Sequence, residues 1–197
     1  MKIRKTLSVA MSKSSEEWKH EIIRSKQDLK EWLACEKNNY SKDLSFFEGR
    51  PICLTEKDFI WKYQVRLRKT EYYVNTNKII RYIISRIILM RMSAKYGMQV
   101  RINSCGKGFR IVHISSVITS GDIGEYYTAF PNTLIGEGTR GGNPVLGNHV
   151  TAYPGAIVVG DIEIADNVSI GANSFVNESF LEQGATIVGA PARIVKR

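Results

Sequence analysis

The sequence predicts an α+β, mainly β chain. A basic helical region over residues 1–98 precedes a parallel β-helix over residues 99–197. Two observations carry this. First, from Gly108 to Val176 an aliphatic or small apolar residue returns at every sixth position: Ile111, Val117, Ile123, Ala129, Ile135 and, after a gap, Leu146, Ala152, Val158, Ile164, Ile170 and Val176. Neither a helix of period 3.6 nor a strand of period 2 does this. Repetition in hexapeptides is the mark of stacked short strands in a parallel β-helix. Second, charge is uneven. Residues 1–101 hold 22 Lys+Arg against 11 Asp+Glu, whereas the rest is slightly acidic, for a net charge of +9. Such asymmetry divides the chain into parts with different jobs.

Residues 1–14 are basic and Ser-rich and are expected to be loose. A first helix is expected from Ser15 to about Glu36, with Trp18, Ile22, Leu29, Trp32 and Leu33 as its apolar stripe. KNNYSKD (37–43) reads as a turn, and Arg50-Pro51 breaks the chain again. A second helix starts at Thr55, with Asp58 three residues on in the manner of a capping box, and runs through Tyr72-Tyr73. VNTNK is a short connection. A third helix runs from about Lys78 to Tyr96 and stops at Gly97, a C′ glycine. Its composition, rich in Ile, Leu and Met with Arg81, Arg86, Arg91 and Lys95 interspersed, predicts a buried helix with snorkelling arginines. The competing reading is a basic amphipathic helix lying on an anionic membrane, a peripheral contact at its inner face.

In the repeat, three hexads make one coil of about 18 residues. Residues 100–194 give room for roughly five coils. Glycine follows the phased residue at Ile123-Gly124, Ile135-Gly136, Leu146-Gly147 and Ile170-Gly171, and is expected to allow tight corners. The step from Ile135 to Leu146 is five residues too long, so Gly138–Gly142 must leave the prism as a loop. NESFLEQG (177–184) breaks the phase, and ATIVGA is expected to restore it at Val188.

Cys35, Cys53 and Cys105 show no metal-ligand spacing and read as reduced thiols of a cytoplasmic protein, with Cys105 a buried rung residue. No metal is expected. No secretory signal opens the sequence, and no apolar run is long enough to span a bilayer. Nucleic acid is not an expected partner, because the basic half carries no recognised motif and its helices are rich in Ile.

The stretches GKGFRIVHISSVITS (106–120), NTLIGEGTRGGNPVLGN (132–148), the hexads to NSFV (173–176) and VGAPARIV (188–195) resemble the hexapeptide-repeat acyltransferases. Within them the likeness is to the serine acetyltransferase-like branch, including its relatives found with surface-polysaccharide genes. WKYQVRLRKTEYY (61–73) resembles the region before the repeat in those relatives. The resemblance implies a left-handed parallel β-helix, a homotrimer with active sites between prisms, and acetyl-CoA as cosubstrate. It places His113 at the catalytic histidine, as general base toward a hydroxyl. The oxyanion donor is expected to be the Gly136 backbone N–H. Pro154 and Ala172 are expected to contact CoA at corners, with Arg193 and Lys196 meeting its phosphates. Arg140 and Asn143 are candidate substrate contacts.

The chain also departs from this branch. Serine acetyltransferases carry an Arg-His-Pro motif after the loop, whereas here Gly142-Asn143-Pro144 stands there. The carboxylate that orients the histidine would fall near Met98, where none exists. Ser115-Ser116 replaces a Gly-Gly pair. These changes point to a sugar hydroxyl of a surface polysaccharide as acceptor. Serine is the alternative, and a non-catalytic or membrane-docking scaffold is a second. His149 is expected to be a surface corner residue, and no role is expected of His20.

Overall fold

The computed structural model describes residues 18–40, 55–139 and 141–195. Residues 1–14, the predicted break at Arg50-Pro51, the end of the turn at 37–43, and Cys53, Arg140 and Lys196 lie outside them.

Helix α1 spans Lys26–Asn38, so it begins about ten residues later than the sequence reading placed it. Its true start signal is Ser25, whose side chain accepts from the Asp28 N–H at 3.0 Å while the Asp28 carboxylate accepts from the Ser25 N–H at 2.9 Å. This reciprocal pair satisfies two of the helix's orphan donors. Residues 18–24 are not helical. They form a strap tied to the β-helix by Asp122, which accepts from the Lys19 N–H at 2.9 Å and lies 2.8 Å from His20 Nδ1. Ile23, not Ile22, is buried there. Helix α2 (Glu56–Asn75) has the predicted Thr55–Asp58 capping box. Helix α3 (Ile79–Tyr96) ends at Gly97, whose φ of 73° is the left-handed conformation that glycine adopts without strain.

The prediction that α3 is a buried helix fails. Only Ser85 and Leu89 are buried. Ile79, Ile80, Ile83, Ile84, Ile87 and Met90 are 40–75% exposed. The helix presents one narrow edge to α2 and leaves the isoleucine face to solvent.

Arg68 joins the helices to the β-helix. It is fully buried, like Glu36 of α1. Its guanidinium donates to Glu36 at 2.6 and 2.9 Å, to Glu71 at 2.8 Å, and to the carbonyls of Cys105 and Gly106 at 3.0 and 2.8 Å. The Trp32 ring stacks 4.8 Å away. Burial opposes the arginine's charge, but the two carboxylates outweigh it and raise its pKa. Such a pair persists in the interior because every donor is satisfied.

From Met98 the chain winds into a three-faced prism. Face 1 has the strand order β1-β3-β6-β9-β12, face 2 has β10-β7-β4, and face 3 has β14-β13-β11-β8-β5-β2. In face 1, β1 is Met98–Val100, β3 Val117–Thr119, β6 Thr133–Gly136, β9 Ile157–Val159 and β12 Phe175–Val176. In face 2, β4 is Asp122–Ile123, β7 Val145–Leu146 and β10 Glu163–Ile164. In face 3, β2 is Arg110–Ile111, β5 Thr128–Ala129, β8 Thr151–Ala152, β11 Ser169–Ile170, β13 Thr186–Gly189 and β14 Ala192–Ile194. All pairings are parallel except β13–β14.

The phased residues from Ile111 to Val176 all point inward and are buried. Stacking neighbours buries a ladder that one coil alone leaves exposed. Cys105 is the expected buried rung residue, bridged to Ile123. After the break the phase returns at Ile187, not Val188: Ile187 is buried and Val188 is not.

The corner glycines also differ from the prediction. Gly124, Gly136, Gly147 and Gly171 do not have positive φ. Gly124 is needed for space, since a Cβ there would stand 2.8 Å from the Gly147 backbone of the next coil. The left-handed corners are instead Tyr126, His149 and Asn167 on one edge and Asn132, Gly155 and Asn173 on another.

Candidate active site

His113 follows β2, at the corner where face 3 turns into face 1. Its side chain is 54% exposed. The carboxylate expected near Met98 is replaced by one that sequence reasoning missed. Glu56, the first residue of α2, places Oε2 3.0 Å from His113 Nδ1, and its Oε1 accepts from the Ile114 N–H at 2.5 Å. The capping box fixes the helix start, and Lys57 Nζ donates to the Val112 carbonyl beside it. Burial works against ionisation of Glu56, but the hydrogen bonds from His113 and Ile114 outweigh it and hold the carboxyl below its usual range.

An ionised carboxylate only accepts, so the proton between the pair sits on Nδ1. Nε2 of the neutral ring is then the basic nitrogen. The arrangement is that of a base with an orienting carboxylate.

The same corner repeats in each coil. Pro131, Pro154 and Ala172 follow β5, β8 and β11 as His113 follows β2. Pro154 and Ala172 are exposed, and the Gly155 and Asn173 N–H groups bond to the Pro131 and Pro154 carbonyls, both at 2.9 Å. Pro154, Ala172 and the base therefore lie along one edge of the prism. Ser115 is part of it, its hydroxyl accepting from the Asn132 N–H at 3.3 Å.

The loop sits elsewhere in the chain. It leaves β6 at the opposite edge of face 1, where face 1 turns into face 2. Gly141 N–H donates to the Gly138 carbonyl at 2.9 Å, and a Cβ on Gly142 would meet Asp161 at 2.5 Å, so the turn requires glycine. Asn143 Oδ1 lies 3.4 Å from Ser120 Oγ. Gly136 belongs to the ladder, in register with Val159 and with its carbonyl accepting from Gly160 N–H at 3.3 Å. Gly136 thus stands at the end of the face 1 ladder, at the mouth of the loop. One chain thus puts the base and the loop on opposite edges of face 1.

Arg193 pairs with Glu178 at 2.5 Å on the exposed last coil. His149 is a left-handed corner residue stacked on Tyr126 at 4.7 Å between ring centroids, as expected of a structural corner. His20 has a structural partner in Asp122, a contact the sequence reading did not foresee.

Residues 143–178 match the family model for the bacterial transferase hexapeptide (six repeats). The chain thus carries a hexapeptide-repeat segment like that of the bacterial transferases. Curated relatives named serine acetyltransferase include one from Buchnera aphidicola subsp. Schizaphis graminum, 30% identical over 129 residues, covering 60% of this chain and 48% of the relative. Another, from Staphylococcus epidermidis, is 34% identical over 127 residues, covering 59% and 57%. The hexapeptide-repeat chain spans about half the length of these relatives. Among solved structures, a serine acetyltransferase in complex with CoA has a TM-score of 0.64 at 22% identity, covering 86% of this chain and 71% of that one. Soybean serine acetyltransferase complexed with serine has 0.67 at 19%, covering 86% and 70%. These likenesses show the shared fold, a left-handed parallel β-helix preceded by helices.

Proposed function

We propose that the protein is an acetyl-CoA-dependent O-acetyltransferase in which His113 is the general base. The observation that carries this is the Glu56–His113 pair on the prism edge, which fixes a free Nε2 beside the line of exposed corners at Pro154 and Ala172. When bound there, acetyl-CoA supplies an activated thioester carbonyl. His113 Nε2 takes the proton of the acceptor hydroxyl as its oxygen bonds to the acetyl carbon. Glu56 holds the ring and stabilises the imidazolium that forms. The C–S bond breaks, and His113 returns the proton to the departing thiolate. The negative charge on the carbonyl oxygen calls for a donor, for which the Gly136 backbone N–H is the candidate, with Asn143 and Arg140 as candidate substrate contacts.

The loop and base are brought together by a homotrimer. Face 1 is the prism's apolar outer face: Ile118, Leu134, Ile157 and Phe175 stand in register on it and point outward. The outward residues of face 3 are Arg110, Thr128, Thr151, Ser169 and Thr186, all polar. A ring closed through face 1 sets the His113 edge of one copy against the loop edge of the next. The relatives' names support serine as acceptor over the sugar reading. Gly142-Asn143-Pro144 in place of Arg-His-Pro favours the second reading, a sugar hydroxyl, because the side chains that would pair with an amino acid's charges are absent.

The test is an acceptor screen following CoA thiol release, with serine and sugars side by side. Release with serine alone supports the first acceptor and release with a sugar alone the second. No release with any hydroxyl acceptor, from protein that binds CoA, contradicts the proposal.

A further inference from the structure

We propose that the outer face of α3 docks the protein on an anionic phospholipid surface. This does not rest on the reading of the active site. Ile80, Ile83, Ile84, Ile87 and Met90 recur at spacings of three and four, so they form one stripe along the helix. Ile80 is 75% exposed and Ile84 56%. A soluble chain gains nothing by holding such a stripe in water, and a face of this kind marks an interaction surface.

The charges identify the occupant. From Tyr72 to Gly121 there is no Asp or Glu, while Lys78, Arg81, Arg86, Arg91, Lys95, Arg101, Lys107 and Arg110 are all basic. On a helical wheel Lys95 flanks the isoleucine stripe on one side and Arg86 on the other, and Arg91 stands within it at its C-terminal end. An occupant must be apolar at its centre and negative at its rim. A second copy docking by the same face brings cations against cations, with no carboxylate on the helix to pair them. A leaflet containing anionic lipid meets both demands: the isoleucines enter the acyl boundary and the long basic side chains reach phosphates. No helix among the described residues is long and apolar enough to cross a membrane, so α3 lies along the surface. Residues 1–14, with four basic and no acidic residues, add charge of the same sign.

The experiment is co-sedimentation of the full-length protein with phosphatidylglycerol/phosphatidylcholine vesicles and with phosphatidylcholine vesicles alone. Binding is expected to the anionic vesicles, weakening with salt. Ile84→Asn together with Ile87→Asn is expected to weaken it at least about tenfold, and Arg91→Gln or Lys95→Gln roughly fivefold each. Because these side chains face solvent, circular dichroism and thermal unfolding are expected to stay unchanged. Failure to sediment with anionic vesicles overturns the proposal. So does binding that ignores the isoleucine variants, which would place it in another basic segment. A concentration-dependent oligomer dissolved by the same variants also overturns it, since a second copy would then cover the face.

Discussion

Glu56 and His113 are 57 residues apart in sequence and 3.0 Å apart in space. In the proposed mechanism Glu56 is a positioning residue, which fixes the tautomer and orientation of the His113 ring. Glu56→Ala is expected to lower kcat/KM by about 10²-fold through a misplaced base, and Glu56→Gln less, since an amide oxygen still accepts from Nδ1–H. The pH profile supplies a readout that a merely structural role would not move. The carboxyl's folded pKa is depressed below its ordinary value. Its orienting charge is therefore present above the unfolded pKa and lost as pH falls through the folded one. The wild-type enzyme is therefore expected to lose activity as pH falls through the folded pKa of Glu56, whereas Glu56→Gln has no such charge to lose and is expected to lack that acid-side step. An unchanged profile and rate in Glu56→Ala would sink this role. The pair was invisible in the sequence because no local period links a helix N-terminus to a coil corner. Thr55–Asp58 was legible as a cap, but which corner the cap faces is decided by tertiary packing.

At the scale of elements, the hexads were readable because burial in a coil imposes one inward residue per side. The phase ran correctly to Val176 and then slipped by one, to Ile187, where a loop between β12 and β13 has no period to count. The helices were less readable. Ser15 and Ser25 both precede acidic residues, and only the reciprocal Ser25–Asp28 bonds distinguish the real start. Helix α3 was misread because an isoleucine-rich composition states how apolar a segment is, not whether a neighbour covers it. What joins the helices to the prism is Arg68. Glu36→Ala leaves that guanidinium buried beside one fewer carboxylate and is expected to destabilise by about 3–5 kcal/mol, measured by urea unfolding. A change below 1 kcal/mol would show that the network does not hold the two parts together.

At the scale of the whole molecule, the proposed site is complete only when face 1 closes a trimer. Ile157→Asp or Phe175→Asp places a carboxylate in the proposed apolar interface without touching the inward ladder. Sedimentation is expected to show trimers giving way to monomers, with retained circular dichroism and with loss of acetyl transfer as the loop of the neighbouring copy leaves the His113 edge. Trimers that survive both substitutions would place the interface elsewhere. Only the alternation in face 1 hinted at this in the sequence: outward Ile118, Leu134, Ile157 and Phe175 share a face only once the coils are stacked. The central claim, that His113 is the base of an acetyl transfer, is tested most directly by the rate of CoA release from His113→Ala in saturating acetyl-CoA and the accepted hydroxyl compound. A fall of about 10²–10⁴-fold with CoA binding retained is the predicted result; a rate equal to that of the wild type would contradict it.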